Sequence, residues 1–166
     1  MKAPVFAVGN GGGKCKTSVS PADYEGVVGV GATNKQDTLL EFSSRGPATN
    51  QSKPSNPLPY NPLTPLIVAP GLNIRGPAKD GDGYHELSGT SQAAPHVAGT
   101  IALCMSMHPD LSAKEAADMV IKAAETSSLQ EPDGSTDCGG IAWNVFPNYV
   151  YGHGRVDALQ ICASSA

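Results

Sequence analysis

Three short apolar runs constrain the fold of this chain more than any other feature of its sequence. They are Val5–Val8, Val27–Ala32 and Leu66–Ala69, and the first and the last end in glycine or proline turns. Each run is too short for a helix, and continuous apolar character is typical of strands that are buried on both faces of a parallel sheet. Leu39–Ser43 is a further candidate strand. The runs therefore predict a central, largely parallel sheet.

Two segments with helical periodicity follow these runs. From Ser91 onward, apolar residues recur at helical spacing until Pro109 ends the pattern. The next helix is predicted to begin at Ser112, where Glu115 completes a capping box. Its apolar face comprises Ala116, Ala117, Val120, Ile121 and Ala124.

The order of these elements predicts one α/β domain over residues 1–166. Residues 46–65 contain six prolines among polar residues and are predicted to form an insertion loop, since proline cannot donate to a ladder of hydrogen bonds. Residues 126–148 are also predicted to be loop, and residues 150–160 to form a turn followed by a short terminal helix.

Charge and hydropathy exclude two classes of partner. The chain has a formal net charge of −4 and a pI near 5.4, whereas a surface that binds nucleic acid is basic. Its apolar runs are all shorter than the roughly 18 residues that span a bilayer. We therefore expect neither nucleic acid nor a membrane as a partner.

The cysteines favour an oxidising environment. Cys15, Cys104, Cys138 and Cys162 are compatible with two disulfides. The polar loops around Cys15 and Cys138 favour disulfide bonding there, with the pairing left open, while the apolar helix around Cys104 favours a buried thiol. The triplet at residues 50–52 fits the pattern for N-glycosylation. Together these features favour a secreted, extracellular protein.

Two short motifs match familiar chemical patterns poorly. GNGGGKCKT imitates a phosphate-binding loop, but Val8 stands where its first glycine belongs and Cys15 where its serine or threonine belongs. The nucleophile elbow Gly-x-Ser-x-Gly fails at Ala93. Taken alone, Ser91 is typical of a helix cap and Asn10 of an Asn-Gly turn.

The whole stretch around Ser91 nevertheless resembles the nucleophile signature of the subtilisin-like serine proteases. That signature is Gly-Thr-Ser-x-Ala-Ala/Ser-Pro-His-Val-Ala/Ser-Gly, and residues 89–99 match it throughout. The segments VFAVGN, VVGVGAT, FSSRGP, IVAPG and YGHGRVDAL also resemble family segments in the same order. The resemblance covers residues 4–162 and implies the C-terminal half of the three-layer subtilisin-like fold. Residues 64–66 depart from it, since the family often has Lys-Pro-Asp there.

The resemblance implies a site that cleaves a polypeptide substrate. Ser91 would be the nucleophile, and the Asn10 side-chain amide and the Ser91 backbone N–H would bind the oxyanion of the tetrahedral intermediate. The substrate-binding residues implied by the family are Ala7, Val8, Gly9, Gly89 and Thr90. No cofactor is expected. Members of the family often bind structural calcium, although no acidic cluster marks a metal site in this sequence.

A serine hydroxyl also needs a base, and the sequence offers none in the place the family uses. Subtilisin-like proteases take an aspartate and a histidine from upstream of the oxyanion asparagine. The nine residues before Asn10 include neither. His96 lies five helical residues beyond Ser91, about 140° away around the helix axis, and we expect it to be structural. The resemblance thus implies a missing N-terminal half as the partner of this chain.

These observations leave three hypotheses. The first is a segment of a subtilisin-like endopeptidase that needs its missing half. The second is an inactive fragment or pseudoenzyme that serves as an interaction module. The third is a different hydrolase, in which Ser91 works with His85 or His153.

Overall fold

A computed structural model describes residues 2–48, 63–79 and 81–163 of the chain. Several predictions of the sequence lie outside these residues: most of the insertion loop at 46–65, the glycosylation triplet at 50–52, and the side chain of Cys162.

The central sheet has three parallel strands in the order β1-β2-β3. They are β1 (Val5–Ala7), β2 (Val28–Thr33) and β3 (Ile67–Pro70). The three apolar runs are thus confirmed as strands, within one residue at each end. All six residues of β2 are buried, because the middle strand of a parallel sheet packs on both faces.

Opposite faces of the sheet contact different elements. Ile67 and Ala69 of β3 belong to a core formed with the helices, whereas Val68 belongs to a second cluster with Leu39 and Tyr151. The chain continues from β3 through the hairpin of β4 (Ile74–Pro77) and β5 (Tyr84–Leu87).

The helices lie on the face of the sheet that includes Ile67 and Ala69. They are α1 (Thr90–Met107), α2 (Ala113–Lys122) and α3 (Ala158–Ala163), and α1 contacts all three strands of the sheet as well as α2 and α3. Within the described residues, loops cover the second face. This arrangement is the predicted α/β fold in incomplete form.

The ends of the helices confirm one local prediction and exclude the simplest interpretation of Ser91, that of a helix cap. The Ser112 Oγ accepts a hydrogen bond from the Glu115 N–H and the Ser112 N–H donates to Glu115 Oε2, so the capping box is confirmed. Ser91 is not the cap of α1. The cap position is Gly89, which has no side chain, and Ser91 is the second residue of the helix.

Two other predictions need correction. Leu39–Ser43 is not a strand: Leu39 makes an isolated bridge to Thr33, and the Ser43 N–H then closes a turn onto Leu40 O. The Ser43 Oγ accepts the Ala32 N–H in place of a backbone carbonyl, which ends the pairing. The segment 126–148 is not only loop, since β6 (Asp137–Cys138) and β7 (Ile141–Ala142) form a short hairpin.

A disulfide joins two distant loops. Cys15 bonds to Cys138, 123 residues further along the chain, so the preference for bonded cysteines at these two positions is confirmed. Cys104 is fully buried in α1, with its Sγ 3.7 Å from Met119 Sδ, as the apolar helix around it predicted.

Candidate active site

Ser91 lies where the carboxyl ends of the parallel strands meet the start of α1. The Gly71 N–H, just after β3, donates to Thr33 O at the end of β2, and the Gly89 N–H donates to Gly71 O at 2.8 Å. These bonds fix the first turn of α1 against the sheet edge. The Ser91 side chain is exposed there. Ligand sites of open α/β sheets commonly lie at this edge.

Asn10 supplies the helix cap that Gly89 cannot. Its Oδ1 accepts hydrogen bonds from the Thr90 N–H at 3.0 Å and from the Thr90 hydroxyl at 2.9 Å. A side chain 80 residues away in sequence therefore satisfies an otherwise orphan donor of α1. Because Oδ1 is held in this way, the orientation of the Asn10 amide is fixed and its Nδ2 faces away from Thr90.

Two donors converge in front of Gly89. A Cβ built on Gly89 would stand 2.9 Å from Gln92 Oε1, 3.3 Å from Asn10 Nδ2 and 3.7 Å from the Ser91 nitrogen. Among the described residues, neither of these N–H groups has a hydrogen-bond acceptor. The backbone of Gly89 has φ +156° and ψ 164°, a region that is almost restricted to glycine. Glycine thus permits the turn and keeps a side chain of residue 89 out of the space between the donors, which Gln92 Oε1 also borders.

The electrostatics of this space favour an anion. It lies at the N-terminus of an 18-residue helix whose first turn contains no acidic residue. Unsatisfied N–H groups and the helix dipole both make such an end attractive to negative charge. The site therefore has donors, but no acid, close to an exposed hydroxyl.

The segment that precedes Asn10 presents mainly backbone. The Val8 side chain is fully buried, while Ala7 and Gly9 are half-buried. Gly9 has φ +107°, and a Cβ there would meet Val19 Cγ2 at 2.9 Å. The glycine therefore lets the chain pass close beneath the exposed Val19 on its way to Asn10.

A groove of about 500 Å³ opens beside Ser91, and Asn10 is not among the residues that line it. We call it the Ser91 groove. It is lined by Ile74, Gly76, Pro77, Lys79, His85, Leu87, Ser91, Gln92, Pro95 and His96. Its walls are the hairpin of β4 and β5 and the first turns of α1, so they bring Ser91 together with the candidate His85 and with His96.

The histidines differ in their surroundings. The His96 Nδ1 lies 2.8 Å from Gln92 O, and because that partner is a carbonyl the nitrogen must carry a proton and donate. His85 lies in the exposed strand β5. His153 lines a different groove, of about 730 Å³, whose lining does not include Ser91. Burial lowers the pKa of His153, which favours its neutral form.

Sequence reasoning missed Ser44. This residue is fully buried, and its Oγ accepts a hydrogen bond from the Gly11 N–H at 2.9 Å. Ser44 lies in the segment FSSRGP, which resembles a family segment, but that resemblance alone does not indicate a role for this serine.

The described residues show neither a grouped set of metal ligands nor a membrane-spanning helix. Among them, no three His, Cys, Asp or Glu side chains are grouped so that they would hold a metal ion. Structural calcium remains a prediction. No helix in the described part combines the length and the apolar character needed to cross a bilayer.

Comparison with known proteins gives a consistent result. The model of the subtilase family of peptidases matches residues 2–144. The chain is 38% identical over 157 residues to the subtilisin-like protease SBT6.1 of Arabidopsis thaliana, covering 94% of this chain and 14% of that protein. It is 33% identical to bacillopeptidase F of Bacillus subtilis, covering 95% of this chain and 10% of that protein.

Solved structures show the same fold. A psychrophilic protease, S41, is 26% identical with a TM-score of 0.67, and the match covers 91% of this chain and 46% of that one. Sphericase has 24% identity and a TM-score of 0.68, with coverage of 90% and 46%. The chain thus spans about half the length of these structures, and about a tenth to a seventh of the two curated relatives.

Proposed function

The chain belongs to the subtilase family, and on that premise we propose that it is the nucleophile-bearing half of a serine endopeptidase. Ser91 attacks the peptide carbonyl, and Asn10 Nδ2 and the Ser91 N–H stabilise the oxyanion. One observation carries the proposal: these two donors, neither with an acceptor among the described residues, border the same space in front of Gly89, next to an exposed serine.

The proposed reaction follows from these positions. The Ser91 Oγ forms a bond to the carbonyl carbon while its proton passes to a histidine base, and the carbonyl oxygen becomes the oxyanion. Collapse of this intermediate breaks the C–N bond, and the leaving amine takes the proton from the histidine. Water then hydrolyses the ester on Ser91. The substrate is a polypeptide, as the family implies.

We further propose that the base comes from outside this chain. His96 is bonded to its own helix at Gln92 O, and His153 lines a separate groove. His85 shares the groove with Ser91 but lies on an exposed strand, and no carboxylate among the described residues pairs with it. An N-terminal half of a subtilase catalytic domain, carrying the family's aspartate and histidine, would supply the base. The solved relatives are about twice as long as the segment matched here.

The exposed surface beside the Ser91 groove supports such a partner. Tyr84 and Leu87 both lie on β5, a wall of the groove, and are 59% and 58% exposed. Large apolar side chains grouped near a site mark a surface that another protein segment covers. The same surface also favours the second candidate function, an inactive module that binds a protein without cleaving it.

The Cys15–Cys138 disulfide supports an oxidising compartment, because such bonds persist mainly in secreted and lumenal proteins. We therefore propose secretion, or retention in an oxidising lumen, as the setting of this protease.

The proposal is tested with an organofluorophosphonate probe, which labels a serine only when a base activates it. We call the chain combined with an N-terminal half that carries the aspartate and histidine the assembled protease. We expect the probe to label the assembled protease but not the chain alone, and Ser91→Ala to abolish labelling. Turnover of peptides should fall about 10⁶-fold in that variant, a figure known from subtilisin, a member of this family.

Matched variants separate the three hypotheses. His85→Ala and His153→Ala should leave the labelling of the assembled protease unchanged. Labelling of the chain alone that disappears in His85→Ala would instead support a hydrolase that uses His85. If the assembled protease binds its N-terminal half but is never labelled, the inactive module is the better description.

A further inference from the structure

The backbone on both sides of Asn10 is held by one buried serine. The Ser44 N–H donates to Gly9 O at 3.0 Å, and the Ser44 Oγ accepts from the Gly11 N–H at 2.9 Å. Gly9 and Gly11 are the two neighbours of Asn10 in the chain. Ser44 itself is fully buried, so its own groups in these two bonds are shielded from water.

We propose that Ser44 is a positioning residue of the oxyanion site, which holds the peptide groups before and after Asn10 so that the Asn10 amide faces the space in front of Gly89. This inference rests on the proposed role of Asn10. Ser44 touches neither Ser91 nor substrate, and acts only through Asn10.

Asn10 needs a backbone restraint because of the way in which its side chain is held. Its Oδ1 is bound to Thr90, but the position of Nδ2 also depends on where the Asn10 Cα stands. Ser44 fixes the peptide groups on both sides of that atom. Donors for an oxyanion must be placed to within about half an ångström, and two bonds from one rigid residue provide that restraint.

The two glycines next to Asn10 allow Ser44 to approach closely. A Cβ on Gly9 would stand 3.1 Å from Ser44 Oγ, and a Cβ on Gly11 would stand 3.2 Å from it. Larger residues at either position would push Ser44 away. The Gly-Asn-Gly sequence therefore serves this contact as well as the turn.

Ser44 is rigid because the next residue joins three segments. The fully buried Arg45 guanidinium donates to the carbonyls of Asp133 and Ser135. The Arg45 O accepts the Thr17 N–H at 2.9 Å. The Cys15–Cys138 disulfide joins the same two loops. We call this unit, residues 9–18, 44–46 and 133–138, the Asn10 support.

Ser43 provides a matched control. It is also fully buried, and its Oγ also accepts one backbone N–H, that of Ala32 in β2, at 3.0 Å. Replacement of Ser43 by alanine therefore removes the same kind of bond from the adjacent residue without touching the neighbours of Asn10.

The test compares Ser44→Ala with Ser43→Ala by NMR of the full chain and by kinetics of the assembled protease. In Ser44→Ala we expect the side-chain amide resonances of Asn10 to move toward those of an unstructured asparagine. Hydrogen exchange of the Gly11 amide should become roughly tenfold faster, the factor expected for one ordinary hydrogen bond. The kcat should fall on the order of tenfold with KM unchanged, since only transition-state stabilisation is lost.

Ser43→Ala should show none of these local changes and should keep its kcat. Ser44→Cys retains the buried volume with a weaker acceptor, and should show the same changes in a chain that folds even if Ser44→Ala does not. Unchanged Asn10 resonances in a folded Ser44 variant, or equal changes in Ser43→Ala, would overturn the inference. If Asn10→Ala leaves kcat unchanged, the proposed function fails, while the resonances still decide whether Ser44 holds Asn10.

Discussion

On one side of Ser91 lies the Asn10 support, in which Ser44 and Arg45 are fully buried and a disulfide joins the outer loops. On the other side lies the Ser91 groove, where all four residues of β5 are exposed. The difference separates two tasks. Groups that stabilise developing charge must be rigid before reaction, and under the proposed function the chain builds them from its own residues. The groove side is left open, where we propose that the base enters on another segment.

The largest expected change in stability follows from removal of the disulfide, which tests whether the Asn10 support depends on that bond. Cys138→Ser opens a loop that spans 123 residues, and should lower the free energy of unfolding by about 3–5 kcal/mol. Urea denaturation of the chain measures this. Hydrogen exchange should rise first in residues 9–18 and least in β5, which is already exposed.

A double variant controls for this effect. Once the bond is gone, adding Cys15→Ser to Cys138→Ser should cost little more, because the two residues act as one unit. If the double variant instead loses the sum of the two single-variant losses in unfolding free energy, the two side chains stabilise the fold separately. The rigidity of the Asn10 support would then have another source.

The next effect concerns the donor itself. Asn10→Ala in the assembled protease should lower kcat by about 10²–10³-fold with little change in KM, and that magnitude is the value known for the corresponding asparagine in a member of this family. Asn10→Asp is the matched variant, because it can still accept from Thr90 but has no N–H to donate. If Asn10→Asp retains full kcat, the amide is not an oxyanion donor.

The sequence predicts the regular elements of the fold better than it predicts the contacts around Ser91. The strands and the capping box were predicted because their signals are local: apolar runs for the strands, and Ser112 with Glu115 three residues away for α2. The signature around Ser91 likewise located the start of α1 to within one residue.

The contacts that build the site were not predicted, because they join distant residues. Asn10 caps α1 across 80 residues, and Arg45 reaches Ser135 across 90. The apolar run Leu39–Ser43 suggested a strand, but the Ser43 side chain replaces the backbone partner and the segment turns. Pairing of Cys15 with Cys138 was left open for the same reason. No periodicity in a sequence encodes which loops meet.

A smaller effect on stability is expected at Glu125, which lies in neither the Asn10 support nor the Ser91 groove. Burial alone would raise the pKa of Glu125, but hydrogen bonds from Ser127 and Ser128 outweigh it and lower the pKa from 4.5 to about 2. A carboxylate with a lowered pKa stabilises the fold above its unfolded value, and this contribution is lost as the pH falls from about 4.5 through 2.

Acid unfolding measures that contribution. Lowering the pH from 7 to 3 should remove about 1–2 kcal/mol through this group, after allowance for solvent. In Glu125→Gln, the unfolding free energy should therefore fall by about 1–2 kcal/mol less between pH 7 and pH 3 than it does in the unsubstituted chain. An equal fall in both chains would show that the serines do not hold the ionised form. Because Glu125 touches neither side of Ser91, the variant should leave kcat unchanged.

The smallest effect on stability is expected on the groove side. Leu87 is 58% exposed, so Leu87→Ser should change the unfolding free energy of the chain by no more than about 0.5 kcal/mol. The same variant should raise the concentration of N-terminal half needed for half-maximal activity by roughly tenfold, since a covered leucine contributes about 1–3 kcal/mol. Titration of activity measures this shift.

Leu159 provides the control for Leu87. It is a leucine on α3 that is 77% exposed and does not line the Ser91 groove. Leu159→Ser should therefore alter neither stability nor assembly. If both leucine variants weaken assembly equally, the partner does not dock beside Ser91. If Leu87→Ser instead destabilises the chain alone by more than about 1.4 kcal/mol, a tenfold change in the folding equilibrium, then Leu87 already contributes to the fold. The groove side would then be part of a finished structure, and the base would have to be sought among His85 and the other residues of this chain.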